Sequence, residues 1–105
     1  MEKDSFRERA PRLPLDVQVN SSHFGFAQSK NISTTGIALL TEKPLKAGDF
    51  LQLVFYLPES SREISAYGKV VWASEVSESY FESGIQFWEI EEEDQLAIER
   101  YFSSH

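Results

Sequence analysis

Two short polar segments carry the side chains best suited to holding a small anion. The first contains Arg7, Arg9 and Arg12 and precedes the first apolar run, and the second is the segment Asn31-Ile32-Ser33-Thr34-Thr35-Gly36. A guanidinium group is a planar fork of donors that matches both phosphate oxygens and the O6/N7 edge of guanine. The amide and hydroxyl groups of the second segment add hydrogen-bonding partners, and its glycine lets the backbone approach a ligand closely. The two segments together predict a clamp for a small nucleotide.

Each segment taken alone has a plainer interpretation. Arginines near a chain terminus are usually solvated charge, and a turn of the pattern Asn-x-Ser-x-x-Gly usually satisfies only its own backbone. The nucleotide clamp therefore depends on the two segments meeting in the folded chain. That meeting requires the elements between them to bring residues 7–12 back to residues 31–36.

The net charge of −7 over 105 residues argues against general binding of nucleic acid, which depends on neutralising phosphates with Lys and Arg. We therefore predict that neither DNA nor RNA is a partner. The charge is uneven, because residues 75–99 contain nine acidic side chains and no Lys or Arg, whereas residues 7–12 contain three arginines and one glutamate. An acidic protein with one local basic cluster can still bind a small anion at that cluster.

Several classes of protein are disfavoured by composition. The chain has no cysteine, which excludes disulfides, thiolate metal sites and cysteine nucleophiles. No nucleophile–base pair or metal-ligand cluster is visible, and His23 and His105 have no obvious partners, so we predict no enzyme activity, no metal site and no catalytic residue. The N-terminal residues are charged and the apolar runs are short, so we expect a cytoplasmic protein that does not insert into a membrane.

The spacing of apolar residues predicts an all-β domain. Residues 1–12 lack apolar periodicity and are predicted to be a flexible N-terminal arm, followed by one domain over residues 13–105. Within that domain, apolar residues alternate with polar ones or form compact runs that end at turn residues, which is typical of strands. The predicted strands are centred on Leu13–Val19, Phe24–Phe26, Gly36–Leu40, Leu51–Leu57, Ile64–Trp72 and Ile85–Phe87.

The end of the chain changes to a helical period. Ile98, Tyr101 and Phe102 stand at i, i+3 and i+4, and the acidic run Glu91–Asp94 precedes them, where carboxylates oppose the positive end of the helix dipole. Four consecutive helical residues cannot all face one ion, so the run is interpreted as a solvated helix start rather than a cation site. With only one convincing helix, crossover connections are largely unavailable, and the strands are predicted to form an antiparallel barrel or sandwich.

The order of these features resembles the PilZ domain family. The arginine-bearing arm, one strand, a hairpin and the Asn31/Ser33/Gly36 turn follow one another as in that family, and the strands at residues 66–72 (AYGKVVW) and 83–87 (SGIQF) and the closing helix are similar as well. The resemblance implies a six-stranded antiparallel barrel that binds cyclic di-GMP at its surface. It further implies that Arg7, Arg9, Arg12, Asn31, Ser33 and Gly36 bind this ligand. It also implies that binding reorders the arm, that the output passes through contacts with a downstream protein, and that no catalysis or other cofactor is involved.

The arm departs from the family pattern at one position. The family places two arginines in the motif RxxxR, and the second matches Arg12, but the position of the first is occupied by Glu8. Arg7 lies one residue too early, and a mobile arm can absorb such an offset, whereas Glu8 can repel the ligand phosphates. The alternative to a cyclic di-GMP receptor is therefore a degenerate PilZ domain that binds no nucleotide and acts only through protein contacts, as in motility or pilus assembly. Trp72 has two interpretations too: packing in the core, or stacking on a guanine at the border of the site.

Overall fold

Seven strands and one helix form in the part of the chain that the computed structural model describes, residues 11–105. The elements, in chain order, are β1 (Leu13–Pro14), β2 (Gln18–Ser21), β3 (Gly25–Ile32), β4 (Gly36–Thr41), β5 (Phe50–Tyr56), β6 (Glu63–Glu75), β7 (Phe81–Ile90) and α1 (Glu92–Ser104). Most of the predicted arm, residues 1–10, lies outside the described residues, so Arg7, Glu8 and Arg9 do too.

The strands close into a barrel. The hydrogen-bonded order is β1-β3-β2-β5-β6-β7-β4, and an additional pairing between β3 and β4 joins the ends of the sheet. Every pairing is antiparallel, and strands β2 to β7 form the closed ring of six. The two-residue strand β1 is an addition that pairs with the end of β3. The prediction of a six-stranded antiparallel barrel with a C-terminal helix is confirmed.

The core consists of the inward-facing residues of each strand. In β5 the residues Leu51, Leu53 and Phe55 are at most 2% exposed, while Gln52 and Tyr56 face the solvent. This alternation is the period of two that a half-buried strand requires. Outside β5, the larger apolar residues that are at most 5% exposed are Leu15, Val19, Ile32, Ile37, Leu39, Leu57, Ile64, Val70, Ile85 and Ile98.

The first predicted strand is interrupted. A continuous strand was predicted from the alternation of Leu13 to Val19, but the chain leaves the ladder between Pro14 and Gln18. Backbone bonds remain on either side of the gap, from the Leu15 N–H to the Lys30 carbonyl and from the Ser29 N–H to the Val17 carbonyl, both at 3.0 Å. Between them the hydroxyl of Ser29 donates to the Leu15 carbonyl at 2.7 Å and accepts from the Val17 N–H at 2.9 Å. A side chain that bonds the neighbouring backbone competes with regular strand pairing. Because this side chain is polar and lies on another strand, the alternation of apolar residues in Leu13 to Val19 does not reveal the interruption.

The second predicted strand is longer than its apolar residues indicate. The prediction placed a short strand at Phe24–Phe26 and treated residues 28–35 as a polar connection, whereas β3 continues to Ile32. Ala27, Ser29 and Ile32 are buried in this strand, and a shift in its register against β4 lies between Ser29 and Asn31. Because a bulge moves the inward face by one position, the strict alternation that identifies a strand is lost.

The helix α1 is fixed to the barrel by apolar packing and by ionic contacts with Arg62. Ile98 is fully buried, and Tyr101 and Phe102 pack partly against the core, as predicted. The start of the helix is not entirely solvated, because Asp94 is only 4% exposed. Its carboxylate accepts from Arg62 Nε at 2.9 Å and from the Ser65 N–H at 3.3 Å, and the bond to Asp94 raises the pKa of Arg62. This helix is too short and too polar to cross a lipid bilayer, and it is the longest helix in residues 11–105.

Candidate functional site

The turn at residues 33–36 is built around the hydroxyl of Ser33. Ser33 is fully buried, and its Oγ accepts from the N–H groups of Thr35 at 3.1 Å and Gly36 at 3.0 Å. Its own N–H donates to the Gly36 carbonyl at 2.8 Å. These bonds close a tight turn within four residues, in the manner of a hydroxyl-capped turn. The hydroxyl of Ser33 therefore stabilises the conformation of the turn, and it fixes the backbone of Thr35 and Gly36.

Gly36 stands where another residue does not fit. A Cβ atom at this position would collide with the backbone carbonyl of Ile85 on the neighbouring strand β7. Backbone cannot move aside as a flexible side chain can, so the close approach of β4 to β7 requires glycine. The Thr35 carbonyl also accepts from the Phe87 N–H at 2.8 Å, which fastens the turn to the same strand.

The last residue of the arm reaches the polar turn segment. Arg12 Nη1 donates to Asn31 Oδ1 at 2.6 Å. The approach follows from the pairing of β1 with β3, because Pro14 lies opposite Asn31 and places Arg12 just beyond it. The structure therefore brings together Arg12, Asn31, Ser33 and Gly36 among the residues that the sequence predicts for the site. The other two, Arg7 and Arg9, lie outside the described residues.

A row of four paired residues runs across the barrel from this contact. Asn31 on β3 lies opposite Ala38 on β4, Ala38 lies opposite Gly84 on β7, and Gly84 lies opposite Trp72 on β6. Ile37 and Leu39 point into the core, so Ala38 between them lies on the opposite face of β4, where it is only 2% exposed. We call these four residues the platform row. Three strand spacings separate its ends, or about 14 Å along the sheet.

The two middle residues of the platform row are small, and the larger polar and aromatic side chains lie at its two ends. Ala38 and Gly84 are the two smallest side-chain types, and a Cβ at Gly84 would collide with the indole ring of Trp72. Trp72 therefore packs on the backbone of Gly84, and the ring is half-buried rather than part of the core. Arg12 and Asn31 stand at one end of the row and the Trp72 indole at the other, and the two small residues between them are themselves buried.

The turn is also tied to α1. Gln95 Nε2 donates to the Thr34 carbonyl at 2.9 Å, across 61 residues of sequence. Gln95 lies one residue after Asp94, so the same helical turn is fixed both to the polar turn and to the β5–β6 connection. The position of the Asn31–Gly36 segment therefore depends on the docking of the helix.

Replacing Gln95 by alanine removes its bond to the Thr34 carbonyl and an exposed bond to the Glu99 carboxylate at 3.2 Å. We expect the free energy of unfolding to fall by about 0.5–1.5 kcal/mol, the usual net contribution of one hydrogen bond, because the exposed bond contributes little. Thermal unfolding followed by circular dichroism measures the change. The matched control is Arg100→Ala, an exposed residue of the same helix whose side chain has no partner in residues 11–105. Equal stability of the two variants would show that the bond to Thr34 does not hold the turn.

Sequence reasoning missed three residues of the arrangement: Ala38, Gly84 and Gln95. Ala38 and Gly84 were counted only as parts of strands, and their alignment with Asn31 depends on strand registers that contain shifts. Gln95 carries no motif signal, because its partner is a main-chain carbonyl. Within residues 11–105, no group of His, Asp and Glu side chains is arranged to hold a metal ion.

Comparison with known proteins identifies the family. A family model described as PilZ domain matches residues 4–104. Among curated protein sequences, none matches the chain. Among solved structures, the inhibitor of motility MotI/DgrA of Bacillus subtilis superimposes with a TM-score of 0.75 at 26% identity, over 91% of this chain and 49% of that one.

Two further structures contain cyclic di-GMP. MrkH of K. pneumonia, in complex with cyclic di-GMP, gives a TM-score of 0.74 at 28% identity, over 91% of this chain and 51% of that one. YcgR of Escherichia coli, also in complex with cyclic di-GMP, gives 0.73 at 13% identity, over 93% of this chain and 45% of that one, and this likeness shows the fold alone. The chain spans about half the length of these proteins.

MotI is described as an inhibitor of motility, and MrkH is described as a transcription regulatory factor that depends on cyclic di-GMP. The absence of a DNA partner therefore stays a prediction from charge. The match of the family model over nearly the whole length, the closed barrel and the likeness to MotI and MrkH agree with one another. The chain belongs to the PilZ domain family.

Proposed function

We propose that this domain is a receptor for cyclic di-GMP that binds the nucleotide across the platform row. The observation that carries the proposal is the hydrogen bond between Arg12 and Asn31, because it places the end of the arm beside the polar turn. Without that approach the arginines of the arm would have no route to the turn. The complex of MrkH with cyclic di-GMP, at 28% identity, supports the same ligand.

The platform row offers each part of the nucleotide a suitable partner. The Arg12 guanidinium provides paired donors for a phosphate or a guanine edge, and the Asn31 amide provides a donor and an acceptor beside it. The Trp72 ring, which packs on the backbone of Gly84, provides a face on which a base can stack, and the small side chain of Ala38 lies between that ring and Asn31. Arg7 and Arg9 are placed in the same role by the sequence, as further donors from the arm.

The output of such a receptor is a change in the arm. In this proposal residues 1–12 fold over the bound nucleotide, which moves them relative to the barrel over residues 13–105, and a downstream protein reads the change. The proposed function involves binding of the nucleotide and no catalytic step. We place the domain in the cytoplasm, where cyclic di-GMP is made and used.

Calorimetric titration with cyclic di-GMP tests the proposal directly. A saturable heat with a dissociation constant in the micromolar range is the expected result. In the variant Trp88→Phe, all tryptophan emission comes from Trp72, and this emission should change with the same dissociation constant. Silence in both measurements at high protein concentration would remove the receptor function.

Replacing Glu8 by arginine is expected to tighten binding about ten- to a hundredfold, since a charge-assisted contact contributes roughly 1.5–3 kcal/mol. The change restores the RxxxR spacing with Arg12 and removes a negative charge near the phosphates. The matched control is Glu2→Arg, which makes the same change of charge outside the motif. If both variants tighten binding equally, net charge and not the motif position is responsible.

One observation favours a second function. Glu8 occupies the position of the first motif arginine, so the domain can also be one that has lost the nucleotide and acts only through protein contacts. MotI is described as an inhibitor of motility, and a role in motility is the corresponding alternative here. Binding of cyclic di-GMP by Glu8→Arg, together with no binding by the unaltered chain, would identify this second case.

A further inference from the structure

A cluster of exposed aromatic rings covers the outer surface of strands β5, β6 and β7. It consists of Phe50, Tyr67 and Trp88, which are 38%, 45% and 57% exposed, with Lys69 between them. We call these four residues the aromatic patch. Rings of this size are normally buried, and a contiguous exposed group of them marks a surface that another molecule covers.

The rings hold one another in place. Phe50 stacks against Tyr67 with the ring centroids 6.5 Å apart and meets the edge of Trp88 at 5.4 Å. The ammonium group of Lys69 lies 5.9 Å from the Phe50 ring and 5.6 Å from the Trp88 ring. Both distances are within the range of a cation–π interaction. The patch is therefore a preformed surface, whose side chains need little ordering when a partner binds.

An acidic cleft adjoins the patch. An open space of about 320 Å³ is bounded by Tyr67, by the start of β6 and by the end of β7, and Glu89 and Glu91 line it. Neither of these two carboxylates forms an ion pair within residues 11–105. The cleft is at the low end of the roughly 300–1,000 Å³ that ligand pockets span, which suits one or two side chains.

We propose that the aromatic patch and this cleft together dock a basic segment of another protein, with an arginine or lysine side chain entering the cleft. The apolar stem of such a side chain would lie against Tyr67, and its charge would reach Glu89 and Glu91. Long cationic side chains bury their stems and present their charge in this way, and an arginine also stacks on aromatic rings. Aromatic residues are the side chains most enriched at the centres of protein interfaces.

Charge decides which partner fits. The surface carries the carboxylates of Glu89 and Glu91 and the single ammonium group of Lys69, so its net charge is negative. An acidic segment would be repelled. A second copy of the chain, meeting the first through the same face, would bring the carboxylates of both copies together.

The docking surface is separate from the proposed nucleotide site. The platform row contains none of the four patch residues, and neither Glu89 nor Glu91 belongs to it. The inference therefore does not depend on nucleotide binding. If the proposed nucleotide binding fails its test, the proposed docking surface is unaffected, and the reverse also holds. Calorimetry with cyclic di-GMP on the same samples distinguishes the two outcomes.

An NMR titration of the full chain tests the inference, using a capped pentapeptide of sequence Ala-Arg-Leu-Arg-Ala as the probe. At millimolar peptide we expect shifts of the Tyr67 and Glu89 amides and of the Trp88 indole N–H. The double variant Glu89→Gln, Glu91→Gln should lose at least about fivefold in affinity, as removal of charge-assisted contacts predicts. Glu75→Gln with Glu78→Gln is the matched control, since both residues are exposed and belong to the same acidic stretch of sequence.

A second peptide, Ala-Glu-Leu-Glu-Ala, tests the sign of the charge. It should cause no shifts at the patch. Equal shifts with both peptides, unchanged affinity in the Glu89/Glu91 double variant, or no shifts with the arginine peptide would each overturn the proposal. A dimer that forms with rising concentration and is abolished by Trp88→Ala would overturn it as well, because the patch would then be a contact between copies of this chain.

Discussion

Replacing Arg12 by alanine is expected to weaken the binding of cyclic di-GMP by about ten- to a hundredfold, since a hydrogen bond to a charged group contributes roughly 1.5–3 kcal/mol. Arg12 is the one predicted arginine of the arm that the described residues place at the turn, through its bond to Asn31. Its removal takes away a charged donor from the end of the platform row and also the contact that directs the arm.

The expected loss is in binding and not in folding. Arg12 is exposed and precedes β1, so its removal leaves the core unchanged, and exposed polar pairs contribute little to stability. Calorimetric titration measures the affinity, and thermal unfolding confirms that the variant is folded. Arg100→Ala is the matched control, because it removes the same charge from an exposed position on α1. Equal affinity of Arg12→Ala and the unaltered chain would contradict the proposed site.

Replacing Gly36 by alanine is expected to have the second large effect, on both stability and binding. The added Cβ would meet the backbone carbonyl of Ile85, so β4 must move away from β7 where the turn begins the strand. Forcing an extra carbon into a closely packed site typically costs about 1–3 kcal/mol. The same displacement would move the bonds that Ser33 makes within the turn, and we expect nucleotide binding to be lost.

A second glycine separates the two effects of this change. Gly25 has a φ of 82°, and a Cβ there would meet no other atom within 4 Å. Gly25→Ala is therefore expected to lose about 1–2 kcal/mol through backbone strain alone, with no effect on the turn. Chemical denaturation and calorimetric titration of both variants make the comparison. If Gly25→Ala lost nucleotide binding to the same extent, the loss in Gly36→Ala would reflect general destabilisation and not the geometry of the turn.

The fold was largely predictable because most strands have one buried face. Strands such as β5 alternate strictly, and that pattern located them to within one residue. The prediction was wrong where polar side chains enter the barrel. Ser29 is buried and bonds two backbone groups of the preceding segment, so β3 was predicted too short and β1 and β2 were predicted as one strand. Asp94 was missed for a similar reason. It is buried while the three acidic residues before it are exposed, and the sequence alone does not show which of four consecutive carboxylates is buried.

The candidate site was predictable only as far as its motif extends. Asn31, Ser33 and Gly36 lie within six residues, and their spacing is a property of the sequence itself. The arrival of Arg12 depends on the pairing of β1 with β3, and the position of Trp72 depends on two registers that contain shifts. Such registers follow from bulges and cross-strand packing that one sequence does not reveal.

The platform row has a consequence for when the proposed binding site can form during synthesis of the chain. Asn31 and Ala38 belong to one hairpin, β3–β4, whereas Trp72 and Gly84 belong to another, β6–β7. The two hairpins are joined where β4 pairs with β7 and by the ion pair between Lys30 and Glu82. A nascent chain still emerging from the ribosome can form the first hairpin, but it has no surface for a ligand until the second has been made and docked. In the proposed mode of binding, the site for cyclic di-GMP is therefore complete only once β4 has paired with β7.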